Sequence, residues 1–281
     1  MDKIRRFDRM AVMTRILTEN PNKIFTLSQF CAMFGAAKST LSEDIALLQD
    51  DLEHFGLGTI ETVTGAAGGV RYRPLVTQEK AQEDLQALCD KLSGTERVLP
   101  GGFLYFSDVL SDPQLVRMMG GIIATEYYEA KPDFVLTMET KGIPVALETA
   151  QALAVPLVIA RHASRVYEGS AVNINYVSGS SGSIQTMSLS RRAVKPGSSC
   201  LIVDDFLKGG GTAKGMCDLM REFDVTVLGK AFVMATAEPQ RKRVSDYKAL
   251  MQLTVLQLDE TEIARVTPWT WTCGRQTCGQ Q

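Results

Sequence analysis

Asp204 and Asp205 stand side by side after an uncharged run, Cys200-Leu201-Ile202-Val203, and lead into Phe206-Leu207-Lys208-Gly209-Gly210-Gly211-Thr212. Four residues without a charge describe a strand buried on both faces. The glycines describe a tight turn into a helix, with Thr212 as the expected cap. A helix start presents N–H groups that lack intrahelical partners at the positive end of the helix dipole, which suits a phosphate. Two carboxylates beside it can accept hydrogen bonds from sugar hydroxyls. A buried strand followed by a ligand-free Gly-rich turn is the other reading, but a pair of carboxylates closing an apolar strand is costly without a partner. The rest of the second half must build a sheet around this strand.

That sheet is legible. Asp133 to Thr137 reads as a strand, Ile143 to Leu153 as a helix and Val155 to Ile159 as a strand, which implies parallel pairing. The turn Thr140-Lys141-Gly142 lies at a carboxyl strand end, where open α/β sheets bind ligands. Ala171 to Tyr176 and Ile184 to Leu189 alternate in polarity around a polar tip at Gly179-Ser180-Ser181, a hairpin. Strands near Val227 to Met234 and Leu253 to Leu258 bring the sheet to roughly five. Ahead of it, Pro100-Gly101-Gly102 turns into a short apolar strand at Phe103 to Phe106, whose Phe103 and Tyr105 could stack on a ligand together with Phe206. A helix follows from Asp112 to Glu129. No segment reads as a hood for a nucleobase.

Residues 1–74 have another character. Phe7, Met10, Ala11, Thr14 and Leu17 recur at helical spacing among Lys3, Arg5, Arg6, Arg9 and Arg15. A short second helix ends at Gly35, and Lys38-Ser39-Thr40 opens a third with Leu41, Ile45 and Leu48 on one face. Lys38, Ser39, Thr40 and Ser42 suit phosphate and base-edge contacts in a major groove. A plain three-helix subdomain would fit the helices alone. The hairpin from Thr59 to Tyr72, with Gly68 and Gly69 near its tip and Arg71 after it, points instead to a winged helix. Its glycines would let the backbone approach DNA closely, and Arg71 would supply charge. Glu43, Asp44, Asp50 and Asp51 confine the DNA-facing surface to the first helix, Lys38 and the wing.

The boundary falls at Pro74. The second domain, 75–281, opens on a linker helix from Gln78 to Ser93 whose Leu85, Leu88 and Leu92 face a neighbouring element or a second copy. Over 281 residues the formal net charge is −2, so any nucleic-acid surface must be local. The six cysteines lack zinc-type spacing, and His54 and His162 stand apart, so no metal site is expected and the thiols read as reduced. No apolar run approaches a membrane span, and the N-terminus is charged at once, which leads us to expect a cytoplasmic protein.

The acidic pair and its glycine loop resemble the PRPP (phosphoribosyl pyrophosphate) loop of type I phosphoribosyltransferases. With the winged helix in front, the chain resembles the purine operon repressors of Gram-positive bacteria over nearly its whole length. Ala37-Lys38-Ser39-Thr40-Leu41-Ser42, the wing Gly65-Ala66-Ala67-Gly68-Gly69, Thr140-Lys141-Gly142-Ile143-Pro144 and Val203-Asp204-Asp205-Phe206 carry the likeness. The resemblance implies an α/β chain: an N-terminal winged helix-turn-helix domain followed by a type I phosphoribosyltransferase-like parallel sheet with flanking helices. It implies a non-enzymatic transcriptional repressor of purine synthesis and transport genes that binds duplex operator DNA as a homodimer and is induced by PRPP. Asp204 and Asp205 would hold the ribose hydroxyls, Lys208, Gly209, Gly210, Gly211 and Thr212 the 5′-phosphate, and Thr140, Lys141 and Gly142 the pyrophosphate. Gly209 departs from the pattern, since such loops often carry a side chain there, and would loosen the cradle. A guanosine polyphosphate, which also presents a ribose and pyrophosphates, could compete. The alternative is an active purine phosphoribosyltransferase with an accessory N-terminal domain.

Overall fold

The computed structural model describes residues 4–65, 68–99, 103–163, 169–178, 182–258 and 261–269. Ala66 and Ala67, Pro100-Gly101-Gly102, Gly179-Ser180-Ser181 and the tail with Trp271, Cys273 and Cys278 lie outside the described residues, as does the Phe103 side chain.

The first domain is a winged helix. Helix α1 (Arg6–Glu19) contributes Met13 and Leu17 to a small core. It shares that core with Phe30 and Phe34 of α2 (Leu27–Phe34) and with Leu41, Ile45 and Leu48 of α3 (Lys38–His54). Helix α2 is fixed at both ends by a Thr26/Gln29 capping box and by Gly35, left-handed at φ +61°. Strands β1 (Thr59–Val63) and β2 (Gly69–Arg73) pair antiparallel, and Phe25 bridges Val70 on the outer side of β2. The bridge accounts for Gly69: a Cβ there would come within 2.2 Å of the Phe25 carbonyl oxygen. A Cβ on Gly68 would meet the Val63 carbonyl oxygen at 2.5 Å. The domain's own backbone thus requires glycine at both wing positions.

Helix α4 (Gln78–Leu92) follows, capped by Thr77. Its Leu85, Leu88 and Leu92 are buried in the core of the second domain, so this face is not left for a second copy. After it come β3 (Val98–Leu99), β4 (Phe103–Leu104), α5 (Ser107–Leu110) and α6 (Pro113–Tyr127). The main sheet is built from β5 (Phe134–Met138), β6 (Leu157–Ala160), β9 (Ser199–Leu207), β10 (Thr226–Thr236), β11 (Lys248–Leu258) and β12 (Thr261–Pro268). Helices α7 (Ile143–Leu153) and α8 (Gly211–Glu222) make the crossovers from β5 to β6 and from β9 to β10, while β7 (Ala171–Val177) and β8 (Ile184–Ser190) form a separate hairpin.

The sheet has six strands rather than five, in the order β12-β11-β10-β9-β5-β6, all parallel except β12. Strand β12 escapes sequence reading because Glu262 and Arg265 interrupt a short alternation; charges of that kind blunt an exposed edge. At the centre, Leu201 and Val203 of β9 enter one core with α4, α6 and α7, while Cys200 and Ile202 enter the other with α8 and the hairpin. Burial on both faces explains the unbroken apolar run, and each large side chain contributes roughly 1.5–3 kcal/mol. From β5 the chain winds one way through α7, and from β9 the other way through α8. The crevice where the winding reverses opens at the carboxyl ends of β5 and β9, which carry the candidate residues.

Candidate functional site

At the end of β9 the two aspartates take different positions. Asp204 is buried, and its Oδ1 accepts a hydrogen bond from the Asp205 backbone N–H at 3.0 Å. Burial, reinforced by the neighbouring Asp205 charge, pushes the Asp204 carboxyl well above the usual carboxylate range. Burial also raises Asp205, opposed by its hydrogen bond with Asp204 and by the Lys141 ammonium. Carboxyls so short of solvent gain most from a ligand that brings its own donors, as ribose hydroxyls do.

The β5–α7 turn closes on this pair. A Cβ on Gly142 would lie 2.1 Å from Asp204 Oδ1 and 2.6 Å from Thr137 Oγ1, so only glycine fits where the loop crosses the aspartate. The Thr137 hydroxyl is buried and finds no hydrogen-bond partner among the described residues. Thr140 and Lys141 are exposed above it, and the Glu139–Thr140 peptide bond is cis. Glu139 accepts from the His162 backbone N–H at 2.6 Å and pairs with Arg161 at 3.4 Å, which ties the turn to the end of β6.

On the other side, Gly210 rather than Thr212 is the N-cap of α8, left-handed at φ +78° and without a side-chain cap. Thr212 lies inside the first turn of the helix. The start of α8 thus has no side-chain cap, which leaves its first N–H groups suited to an anion. The Gly209 carbonyl accepts from the Arg243 backbone N–H at 3.0 Å. Arg243, overlooked in the sequence, lines a cleft of about 280 Å³ with Gly211, Lys214 and Tyr176 beside that helix start. The run Arg241-Lys242-Arg243 was the available signal.

Beside Asp205, Lys141 and Lys208 a chamber of about 410 Å³ opens, walled by Leu104, Phe106, Phe206, Leu253 and Val255 and edged by Thr236 and Glu238. This corrects the expectation that nothing beside the cradle could shelter a heterocycle. Phe106 and Phe206 lie 5.9 Å apart, with rings tilted by 40°. Tyr105 is 46% exposed and does not line the chamber: Leu104 and Phe106 face it, and the residue between them turns away.

In the winged helix, Lys38, Ser39 and Ser42 are exposed and Thr40 is half-buried at the start of α3. Lys38 and Ser42 line a groove of about 580 Å³ with Thr26, Ser28, Thr62 and Thr64 from α2 and the wing. A hydroxyl-rich groove between a recognition helix and a wing fits a nucleic-acid backbone. Arg5 reaches outward and pairs with Asp8 in an exposed contact. Two expected DNA contacts are otherwise engaged. The Arg6 guanidinium is held by Asp44 at 2.7 Å and Glu43 at 3.0 Å. Arg71 stands directly opposite Glu61 on β1 and pairs with it at 2.8 Å.

Comparison with known proteins agrees in order and extent. Residues 5–74 match the family model described as bacterial purine repressor, N-terminal, and residues 108–267 match the phosphoribosyl transferase domain. A probable purine biosynthesis transcriptional regulator PurR from Streptococcus pneumoniae is 45% identical, covering 93% of this chain and 95% of its own. The purine biosynthesis transcriptional repressor PurR of Bacillus subtilis is 42% identical over 93% of this chain and 92% of its own. The purine biosynthesis transcriptional activator PurR of Lactococcus lactis is 40% identical over 93% and 94%. Among solved structures, adenine phosphoribosyltransferase from Rhodothermus marinus covers 61% of this chain and 99% of its own, with a TM-score of 0.53 and 24% identity, a likeness of fold.

Proposed function

We propose how the two halves work together in a chain that belongs to the bacterial purine biosynthesis transcriptional regulators. As a member of that family it is a DNA-binding regulator of transcription rather than a transferase, since the relatives that span both domains are regulators. The winged helix meets duplex operator DNA through Arg5, Lys38, Ser39, Thr40 and Ser42 and the groove beside the wing. The crevice of the second domain is the effector site, and the effector is PRPP. Asp204 and Asp205 take the ribose 2′- and 3′-hydroxyls, Gly209 to Thr212 the 5′-phosphate with Lys208 nearby, and Thr140 to Gly142 the pyrophosphate. The observation that carries this reading is the closure of Gly142 onto Asp204, which brings a pyrophosphate loop, a hydroxyl acceptor and an uncapped helix start to one crevice.

The protein represses as a cytoplasmic homodimer on paired operator sites, and PRPP releases it. An effector can do so only by binding the DNA-free state better. The apolar chamber gives a guanosine polyphosphate a place for its base while its ribose and phosphates occupy the same cradle, so the two ligands exclude each other. Calorimetry tests this: guanosine tetraphosphate injected into PRPP-saturated protein should bind with an apparent affinity that falls in proportion to the PRPP concentration. Both ligands bound at once would sink the shared site. Titration of PRPP alone with no heat and no change in melting temperature would sink the effector assignment.

A further inference from the structure

Helix α7 begins in the effector site and ends on the DNA-binding domain. Its N-cap is Gly142, wedged beside Asp204 and Thr137. Eleven residues later, a rod of about 16 Å at 1.5 Å per residue, it reaches Leu153. There the carbonyl of Ala152 accepts a hydrogen bond from the side-chain amide of Asn22, which lies in the turn between α1 and α2. The Asn22 Oδ1 accepts from the hydroxyl of Tyr128, just after α6, at 2.6 Å. Its backbone N–H donates to the carbonyl of Tyr72 in wing strand β2 at 2.8 Å.

The contact extends on the wing side. The Arg73 guanidinium at the end of β2 lies over the Tyr128 ring, 3.4 Å from Cζ to centroid, and pairs with Glu129 at 2.9 Å. Helices α6 and α7 are tightly packed: Gly120 lies so close to α7 that a Cβ there would come within 2.6 Å of Glu148 Cβ. Asn22 is left-handed at φ +60°, which holds its amide between the two domains.

We propose that Asn22, bonded to α7, Tyr128 and the wing at once, is the positioning residue through which occupancy of the crevice is transmitted to the DNA-binding domain. A helix is stiff along its axis, so a shift of the Gly142 loop as it grips pyrophosphate moves the Ala152 carbonyl as well. The bonds of Asn22 convert that movement into a turn of the wing relative to the second domain. The inference rests on the effector reading above, and it gives the crevice a physical link to the DNA-facing surface.

The test uses the full-length protein with Asn22→Gly, which keeps the backbone conformation and removes both side-chain bonds, and Asn22→Asp, which keeps the acceptor for Tyr128 and removes the donor to Ala152. Operator affinity is measured by fluorescence anisotropy with and without saturating PRPP, and PRPP affinity by calorimetry. Both variants are expected to bind operator alone and PRPP alone within about threefold of the parent, while the factor by which PRPP weakens operator binding falls from the ~5–150-fold usual for allosteric coupling to about one. A factor that persists in both variants overturns the proposal; so does a loss of either binding reaction in both, which would make Asn22 a structural residue only.

A second arm needs no ligand. Gly142→Ala, which must displace the loop, should change operator affinity several-fold with Asn22 present and leave it unchanged alongside Asn22→Gly. Equal effects in the two backgrounds, or none in either, overturn the proposal. If the native protein ignores PRPP while this coupling holds, the effector assignment falls and the joint stands. If the Asn22 variants respond to PRPP as the native protein does, the joint falls and the effector assignment stands.

Discussion

Asp204→Asn is expected to move the response to PRPP to about ten- to 150-fold higher concentrations while raising the melting temperature of the unliganded protein. Burial holds the Asp204 carboxyl well above its usual range, so keeping it ionised near neutral pH costs stability. Asparagine keeps an oxygen for the Asp205 N–H and carries no charge to desolvate. It loses the anion that grips a ribose hydroxyl, and a hydrogen bond to a charged group is worth roughly 1.5–3 kcal/mol, or about ten- to 150-fold in affinity.

The pH dependence has a definite sign. A carboxyl whose folded pKa is raised adds stability that is fully present below the unfolded value of about 3.9 and is lost as pH rises through the raised folded value. The melting-temperature advantage of the asparagine variant should therefore be largest near neutrality and fade on acidification towards pH 4. Operator binding without PRPP should be unchanged. A variant that still releases operator at native PRPP concentrations would show that Asp204 is not in the sensor.

Asp44→Ala should unfold the winged helix. The Asp44 carboxylate is fully buried on α3, where Oδ2 accepts from Arg9 Nε at 2.8 Å and lies 2.7 Å from Arg9 Nη2, while Oδ1 takes Arg6 at 2.7 Å. Arg9 is itself 6% exposed, and its Nη1 donates to the Ile4 carbonyl at 2.8 Å. Removing the carboxylate strands a buried guanidinium, which costs about 3–5 kcal/mol. For a domain of this size that is ~12 °C or more in melting temperature and a large part of its total stability. Arg6→Ala, which removes the exposed partner, should cost far less than Asp44→Ala. Circular dichroism melting of the two variants makes the comparison. Operator binding should vanish in the alanine variant while PRPP binding survives, because the crevice lies in the other domain. A loss below about 1 kcal/mol would show that the pair contributes specificity rather than stability.

The residues with the clearest local signatures read correctly. The apolar run of β9, the β5–α7–β6 unit, the three N-terminal helices and the wing follow from burial pattern, caps and turn chemistry, which act over a few residues. What stayed hidden shares one cause: a residue's type does not reveal which partner tertiary structure brings to it. Arg6 and Arg71, expected at the DNA surface, also pair with Asp44 and Glu61. Gly68 and Gly69, expected to let DNA approach, are also required by the backbone of Phe25 and Val63 pressed against them. Thr212 has the chemistry of a cap, but only Gly210 can take the left-handed turn that starts α8. The apolar chamber is invisible in sequence because its walls come from β4, β9, β10 and β11, far apart along the chain. Asn22 carried no signal beyond its tolerance of a left-handed turn.

The central claim is that the crevice senses PRPP and the winged helix acts on the result. Operator duplex titrated with the full-length protein, with and without saturating PRPP at fixed ionic strength, tests it most directly, since salt alone moves such affinities. The expected result is that PRPP weakens operator binding by ~5–150-fold, within the usual range of allosteric coupling. An operator affinity unchanged or strengthened by PRPP would contradict it.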